Sequence, residues 1–161
     1  MGYSRLDNLD VEAELQTMVL KEKQISDLRT EFNETVQKQR FLFLEYAKRC
    51  LPMFRYLQEA GYRFYNPNKL IDYTSTKGPV LALDRDDGKL YVYSIKNESL
   101  IEIDLRDQGK ESIYNPHVFF EKFSFEDAME GLLAAIDIQD TLIEQFKDEI
   151  NSRIELANKY S

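Results

Sequence analysis

An α+β fold is predicted, with a long helix at each end of the chain, packed antiparallel in coiled-coil fashion, flanking a small three-stranded antiparallel β meander. Three observations predict it. Residues 11–51 contain neither Pro nor Gly and space their apolar positions at alternating intervals of three and four. Residues 129–157 repeat that spacing. Between these stretches lies an Asp87-Gly88 turn flanked by two β-rich runs.

The N-terminal helix is read from Val11, Leu15, Met18, Ile25, Phe32, Val36 and Phe43, a heptad seam interrupted by Glu22, Arg29 and Gln39. Pro52 lacks a backbone N–H, so a break is expected near Leu51-Pro52, followed by a short helix ending at Gly61. Residues 62–78 are aromatic and then rich in Asn, Pro, Ser and Thr, the composition of connecting turns. Strands are expected at residues 79–83 and 89–95, joined by the Asp-Gly turn. A third, residues 100–105, alternates Ile101, Ile103 and Leu105 with Glu102 and Asp104, which buries one face and wets the other. Tyr114 to His117 reads as a turn, and Val118, Phe119, Phe120 and Phe123 as an aromatic group that pins the sheet to the helices. Ser124 with Asp127 imitates a capping box and opens a final helix running to about Lys159.

The 161 residues fit a single domain, 1–161, with its helical part at 8–60 and 124–160 and its β part at 62–120. Net charge is −8, which opposes direct binding to nucleic acid or to an anionic membrane and favours a basic partner. No apolar run approaches the length that crosses a bilayer, and Cys50 is the single cysteine, so a reducing cytoplasm is the expected location.

Antiparallel pairing of the helices is expected in a register where facing residue numbers sum to 175, setting Ile25 beside Ile150, Phe32 beside Ile143, Phe43 beside Leu132, Tyr46 beside Met129 and Glu22 beside Arg153. Charge agrees with this pairing, since residues 126–149 carry eight acids and one Lys whereas residues 21–63 carry nine bases and six acids. The register can be satisfied within one chain or between two, and a homodimer is expected. In outline the arrangement resembles prefoldin subunits, two long helices with β-hairpins at their turn, without a shared motif.

Catalytic chemistry has little to draw on. His117 is the only histidine and sits in a turn without a nucleophile turn or oxyanion signature. Cys50 has basic neighbours, Lys48 and Arg49, but apolar Leu51 and Phe54 beside it suit a core residue. Asp84, Asp86, Asp87 and Gly88 superficially match a calcium loop, yet the glycine falls one place early and no Glu stands at the twelfth position. No nucleotide-binding glycine motif or zinc-protease motif occurs. No metal or other cofactor is expected.

The strands joined at an Asp-Gly turn, followed by Phe123-Ser124-Phe125-Glu126-Asp127 opening a helix, resemble the end of SUKH-type toxin-immunity proteins over the last half of the chain. The N-terminal half departs from that family's Leu-Pro-containing helix and glycine-rich turn. The chain is not assigned to it.

The function expected is therefore a non-enzymatic intracellular protein–protein interaction module, homo-oligomeric, that binds a protein partner through its β tip and an aromatic surface of Tyr62, Phe64, Tyr65, Tyr91, Tyr93 and Tyr114. The alternative is an acidic inhibitor in the manner of phage anti-CRISPR proteins. It would set Glu126, Asp127, Glu130, Asp137, Asp140, Glu144 and Asp148 where a nucleic-acid-binding protein expects phosphates.

Overall fold

A computed structural model describes residues 3–161. The fold is α+β: a long N-terminal helix, one antiparallel sheet and C-terminal helices. The chain divides into two compact units, Met1–Lys38 and Gln39–Ser161.

The first unit holds the short helix α1 (Ser4–Asp7) and the start of α2 (Val11–Glu59). The Asp10 carboxylate caps α2, accepting from the Ala13 backbone N–H at 3.2 Å. Beyond the cap, the seam residues Val11, Leu15, Met18, Ile25 and Phe32 are all exposed, and Val36 is buried.

The second unit is built on a sheet of four strands in the order β1 (Val80–Asp84), β2 (Lys89–Ser94), β3 (Ser99–Asp104), β4 (Lys110–Ile113). The expected meander is thus extended by one strand. β4 escaped the sequence reading because its four residues are exposed and carry no apolar alternation; its entry is marked only by Gly109, at φ +71°. The Asp-Gly hairpin forms as expected, with Gly88 at φ +65°.

Both faces of the sheet are covered. Val80, Leu90, Val92, Ile101 and Ile103 pack with Ile71 on one side. On the other, Tyr93 meets Phe43 of α2 edge-on at 6.1 Å, and Tyr91 meets Phe119 and Phe123 at 5.6 and 4.7 Å. Glu102, expected in water, is half-buried on this second face.

α2 runs through Pro52 instead of breaking there. Phe43, Ala47, Cys50, Phe54 and Leu57 bury one face of the helix, while Pro52 and Lys48, whose carbonyl loses its donor, are exposed. Packing on the inner side carries the helix past the missing hydrogen bond. It ends in a Schellman motif as Gly61 suggested: Tyr62 N–H reaches Leu57 O at 3.0 Å and Gly61 N–H reaches Gln58 O at 3.1 Å.

Pro116 and His117, read as the end of a turn, and the aromatic group after them form the helix α3 (Pro116–Lys122), capped by Asn115, which accepts from His117 and Val118. Ser124 caps the next helix, accepting from the Asp127 backbone N–H at 3.1 Å. The single C-terminal helix expected from the seam is two, α4 (Phe125–Ile136) and α5 (Ile138–Tyr160), broken at Asp137. α4 packs on β1, where Gly131 lies so close that a Cβ would run into the Val80 carbonyl. Buried Asn66 fastens this contact, donating Nδ2 to the carbonyls of Val80 (2.8 Å) and Asp127 (2.9 Å).

Within the second unit the helices do not follow the expected register. That register sets Ile136 opposite Gln39, whereas Ile136 and Gln139 share a concavity with Met53 and Tyr56. Phe43 and Leu132 are buried as expected, but Tyr46 is exposed. Among the described residues, no helix is long and apolar enough to cross a membrane.

Candidate functional site

The aromatic residues singled out by sequence separate into two groups. Phe64, Tyr91 and Tyr93 are core: Phe64 is fully buried and edge-on to Phe54, and a partner cannot reach any of the three in this fold. Tyr91 donates its hydroxyl to Glu102 at 2.9 Å, and burial, helped by that carboxylate, pushes its pKa far up. Lys89 completes the cluster, 2.9 Å from Asp104 and 3.6 Å from Glu102; its hydrogen bond to Asp104 raises the Lys89 pKa and lowers that of Asp104. The correction has a simple cause, since strand alternation assigns Tyr91 and Tyr93 to one face without saying what covers it.

Tyr62, Tyr65 and Tyr114 are half-buried. Tyr114 lies 5.0 Å from the Tyr91 ring. Tyr62 and Tyr65 stand at the root of α5. A concavity of about 270 Å³ lies between Arg63, Tyr65 and Thr74 on one side and Ile138, Leu142 and Gln145 on the other. A second, of about 300 Å³, lies among Met53, Tyr56, Ile136 and Gln139. Gln139 donates Nε2 to the Tyr62 hydroxyl at 3.3 Å, beside both hollows. Met53 and Leu142 were not singled out by sequence; the signal that could have found them is apolar spacing at one end of α2 and at the start of α5.

From that root α5 carries an exposed apolar seam, Ile143, Phe146 and Ile150, with Ile154 exposed beside it. Half of the Ile143 and Ile150 surface remains open, 50% and 54%, and in α2 the seam residues Ile25 and Phe32 remain 45% and 53% open. Side chains of this size at heptad spacing form an unpartnered stripe on each helix, interrupted by Glu22 and Arg29 on α2 and by Arg153 on α5.

The acidic residues do not all converge. Asp137, Asp140, Glu144 and Asp148 line one shallow strip along α5. Glu126 and Glu130 are exposed on α4, and Asp127 is engaged in the fold, accepting both oxygens' hydrogen bonds from Asn68 Nδ2 at 3.2 Å.

Side chains with reactive chemistry are committed elsewhere. Cys50 is buried, and desolvation pushes its thiol pKa up against a smaller opposing effect of Arg49. His117 Nε2 lies 3.1 Å from Glu121 Oε1, one turn on in α3. In the Asp-rich turn, Arg106 donates to the carbonyls of Arg85 (3.3 Å) and Asp86 (2.7 Å), so a guanidinium occupies oxygens that a calcium ion would need. Among the described residues, no group of three or more His, Cys, Asp or Glu is placed to hold a metal ion.

Compared with family models, curated proteins and solved structures, the chain matches none.

Proposed function

We propose that the protein is a non-enzymatic, homo-oligomeric protein–protein interaction module of the cytoplasm. The observation that carries this reading is the pair of exposed heptad seams, residues 11–32 of α2 and 143–154 of α5. Leaving so many large apolar side chains in water forgoes roughly 1.5–3 kcal/mol for each one that a partner could bury. Tyr62, Tyr65 and the two hollows at the root of α5 extend that surface and offer shaped contacts for a partner's apolar side chains.

Capture by the tagged full chain tests the reading. A protein, a second copy of this chain included, should be retained by wild type and lost from Ile143→Asp if the seams hold it, or from Tyr65→Ala if the hollow at the α5 root does. The same retained set from all three chains sinks the proposal.

A second reading, inhibition of a nucleic-acid-binding protein by an acidic surface, is favoured by the strip of Asp137, Asp140, Glu144 and Asp148. Binding through that strip should weaken steeply as salt is raised, whereas binding through the seams should not.

A further inference from the structure

We infer that the α5 seam is covered by the α2 seam of a second copy of this chain, antiparallel, with facing residue numbers summing to 175. The inference rests on the interaction-module reading and names its partner.

The charged side chains within each stripe, Glu22 and Arg29 on α2 and Arg153 on α5, decide which pairings are possible. On α2 the core positions fall into two sets, Leu15, Glu22, Arg29 and Val36 in one, and Val11, Met18, Ile25 and Phe32 in the other. In an antiparallel pair each set faces the opposite set of the partner helix. If α2 paired with α2 in this way, Glu22 and Arg29 would face Val11, Met18, Ile25 or Phe32, an uncompensated charge against an apolar side chain, and the register that sets Glu22 on Gln39 and Arg29 on Phe32 would require Ile25 to reach Val36, already buried in its own chain. On α5 the sets are Ile143, Ile150 and Ala157 against Phe146, Arg153 and Tyr160, so an antiparallel α5 pair buries Arg153 against Ile143, Ile150 or Ala157. Parallel self-pairs fare no better, since they set Glu22 on Glu22, Arg29 on Arg29 and Arg153 on Arg153.

The mixed pair has no such conflict. Glu22 faces Arg153, Ile25 faces Ile150, Phe32 faces Ile143, Leu15 faces Tyr160, and Arg29 lies on the Phe146 ring, where a guanidinium is welcome. Val19 and Ile154, exposed beside the two seams, fall next to each other in the same register. A slip of one heptad destroys the match: one direction sets Glu22 on Phe146 and Arg153 on Leu15, the other sets Arg153 on Arg29. Arg153 is exposed in the single chain and held by Glu149 at 2.8 Å, an i,i+4 pair that is free to exchange.

The lengths also agree. Residues 15–32 and 143–160 each give about 27 Å of helix, and a two-fold dimer repeats the contact. Four faces, each about 27 Å by 10 Å, bury roughly 1,100 Å², above the ~1,000 Å² that a biological interface should clear.

The test is disulfide capture between copies. In full-length chains carrying Cys50→Ser, Ile25→Cys and Ile150→Cys are placed on separately tagged copies and co-expressed, then oxidised. A mixed cross-linked dimer is expected, with none from either variant alone. Cross-linking of Ile25→Cys to itself, or a dimer by light scattering with no cross-link, overturns the register. As a second measurement, Glu22→Arg and Arg153→Glu should each raise the dimer Kd by about tenfold or more, and the double swap should restore it. Both positions are exposed, so unchanged circular dichroism separates lost pairing from lost folding. A monomer that still retains a different protein overturns the second copy while the module reading stands; a monomer that retains nothing ends both.

Discussion

Asn66 shows how much a single side chain contributes to the second unit. It is buried, its Nδ2 bridges the carbonyls of Val80 and Asp127, and its Oδ1 accepts from the Asn68 backbone N–H at 2.9 Å. Asn66→Ala removes the amide donor from the Val80 carbonyl, a buried bond, and from the part-buried Asp127 carbonyl, so unfolding free energy should fall by about 1–3 kcal/mol in denaturant titration. A loss well below that would mean water replaces the amide. Tyr91 makes a prediction about pH. Its pKa is raised in the folded state above an unfolded value of about 10, so its contribution is complete below about pH 10 and is lost as pH rises from there towards the folded value. Tyr91→Phe should therefore flatten the alkaline limb of the stability profile, though not abolish it, because burial raises Tyr93 as well. An unchanged limb between wild type and Tyr91→Phe would show that the hydroxyl is not held protonated. Neither role was legible in the sequence, where Asn66 reads as a turn residue and Tyr91 as a surface one, because both depend on a covering layer supplied from distant parts of the chain.

At the scale of elements, Pro52 sits within α2 at the edge of the Met53–Tyr56 hollow. Pro52→Ala restores the bond to the Lys48 carbonyl and should stabilise the protein by up to about 3 kcal/mol. A destabilised variant would show that the fixed backbone of Pro52 is needed for packing on the sheet. Elements with strong local chemistry were legible: the Asp-Gly hairpin, the Ser124 cap, the Gly61 terminus and the heptad seams. Those that were not have physical reasons. β4 is an exposed edge whose pairing is supplied by β3, through contacts such as Ile101 with Ile113. α3 is a seven-residue helix held by burial of Phe119 and Phe120, and the break at Asp137 interrupts a seam whose apolar spacing continues straight through it.

At the scale of the molecule, the exposed seams make association the central prediction. Light scattering should give twice the chain mass of 19.0 kDa, unchanged between low and high salt and unaffected by an unspecific DNA duplex. Ile143→Asp should return the chain to monomer mass with its thermal midpoint almost unaltered at high dilution, whereas Asp87→Ala in the hairpin turn should lower that midpoint and leave the mass unchanged. A monomeric wild type that shifts on adding duplex would instead point to direct nucleic-acid binding and overturn the argument from net charge.

The amino-acid sequence by itself determined the α+β class, the two long apolar seams, the hairpin and the helix caps, because each is written in residues close together in the chain. The tertiary structure alone decided that Phe64, Tyr91 and Tyr93 are core, that α2 passes through Pro52, that the sheet has a fourth strand, and that hollows form beside Tyr62 and Tyr65. The physical reason is that burial is a property of two surfaces. Periodicity identifies one of them, and only the folded chain supplies the other.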